Sequence, residues 1–239
     1  MGTMALDMMT EHVRQIGERV LTGGAITFEE AVELFERSDY DVHELFHVAN
    51  RLRLNQFGNR IHLCSIVNAK SGNCPEDCGF CSQSARHATE IQKYGLMSTE
   101  EMVKAARKAG EQGAFALGVV TAVRGYSASS KDFQKLVEGI RAIVQDGRVE
   151  GHASLGIMGH EEFRQLKAAG LTEFNHNLET GRSYFPKVCT THTYDERVNT
   201  IKAAKAIGIR VCSGGIIGMG EEPAHRAELA FALKELDVD

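Results

Sequence analysis

From about residue 60 onward, short apolar segments rich in β-branched residues alternate with longer segments whose apolar residues recur at helical spacing. This alternation is typical of βα units that build a parallel sheet. The first sixty residues show helical patterns without strands, so we expect a helical cap over 1–60 and a β/α region over 61–239. The predicted strands are 61–67, 114–120, 151–155, 172–177 and 209–216, each followed by a helix.

Capping signals mark the helix boundaries. Ser or Thr followed three residues later by Glu satisfies the free amides of a first helical turn, and glycine in the left-handed conformation closes a helix. The predicted starts lie at Thr27, Ser98 and Thr193, and the predicted ends at Gly110, Gly170 and Gly208.

Five strands do not close an eight-stranded barrel, which needs about 30 residues or more for each βα unit. We therefore expect an α/β fold of the TIM-barrel type that is incomplete in this chain. It would comprise about the first five βα units, preceded by the helical segment.

Composition narrows the class of protein. With 43% hydrophobic residues the 239-residue chain can bury one large core. A formal charge of −5 argues against a nucleic-acid or anionic-membrane partner. The sequence has no apolar run of about 20 residues and no secretory signal, so we expect a cytoplasmic protein. Six cysteines are too few for a disulfide scaffold of this size and favour a metal or redox site.

The most informative motif is Cys74-x3-Cys78-x2-Cys81. Three thiolates on one loop bind three corners of a four-iron cubane and leave the fourth iron open to a small chelating molecule. Gly72 and Gly79 are expected to supply the tight turns. The alternative is a structural zinc site, for which a nearby His, His87, would be the fourth ligand.

Three segments carry a resemblance to one family. Asn68–Ser84 resembles the cluster loop of the biotin synthase family of radical S-adenosylmethionine enzymes. Asn175–Glu179 and Val211–Glu221 resemble two further motifs of that family, in the same order along the chain. The resemblance extends from about residue 25 to the end. It implies a radical sulfurtransferase with a barrel fold that converts dethiobiotin to biotin.

The resemblance also implies cofactors and partners. A 4Fe-4S cluster would bind S-adenosylmethionine at its open iron, and reductive cleavage would give a 5'-deoxyadenosyl radical that abstracts hydrogen from an unactivated carbon. An electron donor such as flavodoxin or ferredoxin and a homodimeric state are implied as well.

By resemblance, several residues bind these small molecules. Asn175 and Asn177 are expected at the substrate, and Glu179 stands where the family usually has Asp. The implied cofactor-binding residues are Phe80, Gly118, Asn177, Glu179, Ile216 and Ile217. The alternatives are loop packing for Phe80, capping of the next helix for the residues after strand four, and a simple tight turn for the glycine-rich segment.

The residues expected to hold the donor of the inserted sulfur differ from those of the best-known family members. The best-known members of the family hold a second, two-iron cluster with three cysteines and an arginine. Only Cys212 matches that set, whereas Ala116 and His152 occupy the other two cysteine positions. We hypothesise that Cys64, Cys189 and Cys212 hold a different auxiliary cluster of unspecified type, with His152 as a ligand or neighbour. The alternative is that these are ordinary buried or loop residues.

Two other functions are compatible with the sequence. One is a related radical enzyme, such as a hydrogenase-maturase-like or methylornithine-synthase-like protein, which needs no sulfur donor. The other is a non-catalytic metal-binding derivative of the fold.

Overall fold

The computed structural model describes residues 3–36 and 42–239. In these residues nine α-helices and five strands follow one another along the chain. Their bounds are α1 Thr3–Leu21, α2 Phe28–Glu36, α3 Val42–Phe57, β1 Cys64–Lys70, α4 Thr99–Glu111, β2 Ala116–Thr121, α5 Lys131–Asp146, β3 Glu150–Ser154, α6 His160–Ala168, β4 Glu173–Asn175, α7 Phe185–Val188, α8 Tyr194–Ala206, β5 Arg210–Cys212 and α9 Pro223–Glu235.

The chain divides into two compact units, one of residues 1–61 and 222–228 and the other of residues 62–221 and 229–239. The first unit contains helices α1 to α3 and has a small core around Val13 and Val48. Gly17 allows α1 and α3 to approach closely, because a Cβ there would lie 2.5 Å from Val48 Cγ1. No helix in the described part of the chain is both long and apolar enough to cross a bilayer.

The second unit is built on a parallel sheet with strand order β1-β2-β3-β4-β5. One face of the sheet supplies the core that packs against the helices, through Leu117, Val119, Ala153, Phe174 and Val211. Alternate residues point to the opposite face because strand side chains have period two. The α/β fold with a parallel sheet, as far as the described strands extend, is therefore confirmed.

The residues of the inner face lie in register across the strands. One row contains Ile66, Gly118, His152, Glu173 and Arg210. The next row towards the carboxyl ends contains Asn68, Val120 and Ser154, and these three residues line a cleft. The carboxyl ends of β1, β2 and β3 therefore line this cleft.

The capping predictions are confirmed at all three helix starts. Reciprocal side-chain and backbone hydrogen bonds join each Ser or Thr to its Glu. Gly170 and Gly208 have the expected positive φ, but the prediction for Gly110 is wrong. Helix α4 continues to Glu111, and the left-handed residue after it is Gly113, with φ 86°.

Candidate radical-cluster site

The cysteine loop follows the carboxyl end of β1 and is closed by backbone hydrogen bonds. Gly72 and Asn73, with φ 74° and 59°, turn the chain immediately before Cys74. The Cys74 amide donates to the Gln83 carbonyl at 3.1 Å. The turn predicted at Gly72 is therefore present. Gly79 lies in a tight turn as well, closed by the hydrogen bond from the Cys81 amide to the Cys78 carbonyl at 3.0 Å, although its φ is not positive.

All three thiols of the motif line one cleft of about 390 Å³, together with Phe80. The opposite wall comes from the carboxyl ends of the other strands and from the segment before α8. Its polar residues include Arg124, Asn175, Asn177, Glu179, His192 and Arg197. Three soft ligands therefore face a polar wall within one small cavity.

Burial favours the protonated form of two thiols of the loop, Cys74 and Cys78. It raises the pKa of Cys78 to about 12, with the neighbouring Cys189 thiol as a further cause. Burial is also the largest cause of the raised pKa of Cys74. A metal binds the thiolate form, so metal binding must release the protons of these thiols.

Two carboxylates of the loop attach it to the segment before α8. Asp77 Oδ1 accepts hydrogen bonds from the backbone amides of Thr190 and Thr191, at 2.9 and 3.2 Å. Hydrogen bonds, chiefly from the Thr190 hydroxyl, hold the pKa of Asp77 well below its usual range. Glu76 accepts from the Thr191 hydroxyl at 2.7 Å and from His192. These contacts fix the loop across more than 110 residues of sequence.

Arg197, on α8, is a buried cation in the cleft that sequence reasoning missed. Its Nη1 donates to the Asn177 carbonyl at 2.8 Å, and its Nε donates to His192 Nε2 at 2.9 Å. Nη1 also lies 3.5 Å from Glu179 Oε1. A signal was present in the sequence, because Arg197 falls on the same helical face as Tyr194 and Ile201, both buried.

Asn175 is the last residue of β4, and Asn177 and Glu179 follow that strand. All three line the cleft, as does His176 between them. Glu179 has φ 71°, a left-handed conformation that is uncommon for a residue with a side chain and is typical of functional sites. Burial raises the pKa of Glu179, and its Oε2 has no hydrogen-bond partner within the described structure.

His176 is a second polar residue of this wall with an unused atom. It lines the cleft, and its Nε2 lacks a hydrogen-bond partner in the part of the chain that the structure describes. Burial lowers the pKa of His176 to about 3, so the ring is neutral at physiological pH. His176 Nε2 and Glu179 Oε2 can therefore each form a hydrogen bond with a water molecule or a polar ligand in the cleft.

The capping alternative for these residues is wrong. The next two helices, α7 and α8, have Tyr184 and Thr193 at their N-caps. Asn175, Asn177 and Glu179 are therefore available to a ligand.

The glycine-rich segment after β5 packs against Glu179. The Ile216 amide donates to the Glu179 carbonyl at 2.9 Å. A Cβ on Gly215 would lie 2.4 Å from that same carbonyl oxygen, so only glycine fits there. Ile216 and the more exposed Ile217 thus lie at the edge of the β4 wall. Gly118 lies deeper, two residues before the cleft-lining Val120.

The structure does not bring the three remaining cysteines together. Cys189 lies against the cluster loop, with its Sγ 3.7 Å from Cys78 Sγ and 3.2 Å from Asp77 Oδ1. Cys64 is the first residue of β1, whereas the cluster loop follows the last residue of that strand. The strand between them is about 20 Å long. Burial is the largest cause of the raised pKa of Cys212, and the charges of Glu173 and Cys64 raise it further.

His152 is held between two carboxylates on the inner face. Its Nδ1 is 3.2 Å from Glu173 Oε1 and its Nε2 is 3.4 Å from Glu150 Oε2. Arg210 Nη2 donates to Glu150 Oε2 at 2.8 Å, so the guanidinium offsets part of the negative charge of the two carboxylates. Both ring nitrogens of His152 are therefore engaged, which argues against His152 as a cluster ligand.

The zinc alternative uses His87 as its fourth ligand. His87 Nε2 lies 3.0 Å from the Cys78 carbonyl oxygen, so this ring nitrogen contacts the backbone. Cys78, Cys189 and His192 do lie near enough to share an ion. However, His192 Nε2 already accepts a hydrogen bond from Arg197, and Nδ1 contacts Glu76.

Comparison with known proteins identifies the family. Over residues 69–233 the sequence matches the Radical SAM superfamily. Biotin synthase of Citrifermentans bemidjiense is 42% identical over 231 residues, which cover 97% of this chain and 70% of that protein. Biotin synthase of Pelotomaculum thermopropionicum is 47% identical over 224 residues, which cover 94% and 69% of the two chains.

A solved structure supports the same fold. The crystal structure of methylornithine synthase superposes with a TM-score of 0.81 at 20% identity and covers 94% of this chain and 65% of its own. At that identity the likeness concerns the fold alone, a partial radical SAM barrel. The chain belongs to the biotin synthase family of the radical SAM superfamily, which are enzymes of the sulfurtransferase type that use a 4Fe-4S cluster and S-adenosylmethionine.

Proposed function

We propose that this protein converts dethiobiotin to biotin by radical sulfur insertion. The observation that carries the proposal is a single cleft in which three thiols on one loop face the polar carboxyl ends of the strands. Relatives that are 42% and 47% identical and are named biotin synthase support the choice of substrate and product.

We assign the 4Fe-4S cluster to Cys74, Cys78 and Cys81. Their thiols share one cleft wall, and three thiolates leave one iron free for a chelating ligand. When bound, the cluster and S-adenosylmethionine supply an electron and a radical that abstracts hydrogen from an unactivated carbon. The chain supplies position and charge, and it restricts the access of water.

The opposite wall suits the polar groups of S-adenosylmethionine. Arg197 presents a buried guanidinium, the natural partner of a carboxylate because its two N–H donors match two carboxylate oxygens. The unpartnered Oε2 of Glu179 suits a ribose hydroxyl donor. We place the adenine near Phe80, Ile216 and Ile217, which offer exposed apolar surface. Gly118 would act from the deeper row through its backbone.

Asn175 and Asn177 remain for the substrate. Each amide side chain offers both donors and an acceptor, which match the N–H groups and the carbonyl of a cyclic urea. Both residues line the cleft. Asn177 is also next to the proposed ribose partner Glu179 along the wall, so it can contact both molecules and set the distance between them.

For the sulfur donor we propose an auxiliary cluster held by Cys64 and Cys212. Both thiols lie on the inner face of the sheet, and each is affected electrostatically by Glu173. The third hypothesised ligand, Cys189, contacts the radical-cluster loop, and we do not include it in this pair. The type of this cluster and its remaining ligands stay open.

Iron counting tests this assignment. Anaerobically reconstituted protein with Cys64 and Cys212 both changed to Ala should lose the auxiliary iron and keep about four irons. Cys189→Ala should bind as much iron and sulfide as the parent. An undiminished iron content in the double variant would contradict the auxiliary site.

We also propose a reducing cytoplasmic location, a small electron-transfer protein such as flavodoxin or ferredoxin as electron donor, and a homodimer. Free thiols in all six cysteines are compatible with a reducing compartment. The acidic balance of the chain, −5 overall, agrees with a small-molecule substrate and with no nucleic-acid partner.

Product analysis tests the proposed reaction. Reconstituted protein incubated without oxygen with dethiobiotin, S-adenosylmethionine and a strong reductant should yield biotin detectable by mass spectrometry. Without dethiobiotin no biotin should form. If S-adenosylmethionine is cleaved and dethiobiotin is recovered unchanged, the radical chemistry stands and the substrate assignment is wrong.

A further inference from the structure

His192 lies between the cluster loop and the buried arginine and contacts both. Its Nε2 accepts a hydrogen bond from Arg197 Nε at 2.9 Å. The same nitrogen cannot also carry the proton of a neutral ring, so the proton is on Nδ1. Nδ1 in turn donates to Glu76 Oε2. The imidazole thus accepts a hydrogen bond from the arginine and donates one to the cluster loop, so it links the two.

Glu76 is itself firmly held. It lies two residues after Cys74 and is buried. Its carboxylate oxygens are each 3.2 Å from Arg124 Nη1, and Oε2 is 2.7 Å from the Thr191 hydroxyl. The carboxylate therefore gives His192 a fixed anchor on the cluster loop.

Arg197 has few other contacts that fix its rotation. Nη1 donates to the Asn177 carbonyl, and the guanidinium carbon lies 5.6 Å from the Phe185 ring centroid. Nη1 also lies 3.5 Å from Glu179 Oε1. Both of these polar contacts are made by one nitrogen, whereas a hydrogen bond at Nε adds a second fixed point and sets the plane of the guanidinium. The contact with His192 is that hydrogen bond.

We propose that His192 is a positioning residue, which orients the guanidinium of Arg197 towards the carboxylate of the S-adenosylmethionine and links that orientation to the cluster loop through Glu76. The inference rests on the proposed function, in which Arg197 binds that carboxylate. It adds a residue of the cleft lining that acts through Arg197 and so controls how tightly S-adenosylmethionine binds.

The test compares two substitutions at one position. His192→Leu removes both hydrogen bonds at similar volume. His192→Gln restores them, because its carbonyl oxygen can accept from Arg197 and its amide can donate to Glu76. We expect His192→Leu to raise the KM for S-adenosylmethionine about tenfold, the effect of losing one orienting hydrogen bond to a charged group, with a smaller change in kcat. His192→Gln should stay within about threefold of the parent.

A matched control places a substitution on α8, the helix that carries Arg197. Thr200 is buried on α8, and its hydroxyl bonds only to the Glu196 carbonyl among the described groups. Thr200→Val should leave the KM unchanged. Iron content and the electron paramagnetic resonance signal of the reduced cluster should match the parent in every variant, so that altered binding is separated from altered assembly.

The outcomes separate the inference from the function on which it rests. An unchanged KM in His192→Leu, or a His192→Gln variant as impaired as His192→Leu, would overturn the positioning role while the proposed function stands. A parent protein that holds its cluster but neither binds nor cleaves S-adenosylmethionine would overturn the proposed function itself.

Discussion

Replacing Cys74, Cys78 or Cys81 with Ala is expected to abolish the formation of 5'-deoxyadenosine and of biotin. Each cysteine binds one iron in the proposed site, and a cubane with two protein ligands left has no stable attachment. The loss should therefore be complete rather than partial. Iron and sulfide content, visible absorbance and product formation measure it directly.

A fourth cysteine serves as the matched control. Cys189 is buried beside Cys78, with 3.7 Å between the two sulfur atoms. Cys189→Ser should retain the four-iron cluster and its activity, because this thiol is not one of the three on the loop. If Cys189→Ser loses the cluster while Cys81→Ala keeps it, the ligand assignment is wrong.

Replacing Arg197 with Met should weaken binding of S-adenosylmethionine by about 30- to 150-fold. The change removes a charge-assisted hydrogen bond of about 2–3 kcal/mol while it keeps most of the side-chain volume. It also leaves the buried Glu179 without its cation, so the already raised pKa of Glu179 should rise further. A higher KM for S-adenosylmethionine with an intact cluster is the expected result.

An exposed arginine near the same helix provides the comparison. Arg182 pairs with Asp195 at 2.8 Å, and more than half of its side-chain surface is exposed. Arg182→Met should alter neither cluster content nor KM, since a surface ion pair contributes at most about 1 kcal/mol to stability. Equal effects of the two substitutions would argue against a special role for Arg197.

The cluster loop could be read from sequence because its information is local. Three cysteines within eight residues determine the chemistry whatever the rest of the chain does. The same holds for the capping boxes, in which residues three positions apart form both hydrogen bonds. The prediction of a helix end at Gly110 was wrong because a second glycine follows three residues later, and it is Gly113 that takes the left-handed conformation.

The opposite wall of the cleft could not be read in the same way. His192 and Glu76 lie 116 residues apart in the sequence, and they meet only because the carboxyl ends of parallel strands share one edge of the sheet. A charged residue, Arg197, on an otherwise apolar helical face indicates a buried functional group. The sequence does not reveal that His192 is its hydrogen-bond partner. The hypothesis that grouped Cys64 with Cys189 had a similar cause. The hypothesis requires both residues to lie near the barrel mouth. Cys64 instead begins β1, and the cluster loop follows the other end of that strand.

The most direct test of the account is cleavage of S-adenosylmethionine by the reconstituted and reduced protein. The open iron beside Cys74, Cys78 and Cys81, and the buried cation of Arg197, predict formation of 5'-deoxyadenosine and methionine in equal amounts, measured by liquid chromatography and mass spectrometry. Protein that contains a full four-iron cluster and yet forms no 5'-deoxyadenosine would contradict the radical function at its centre.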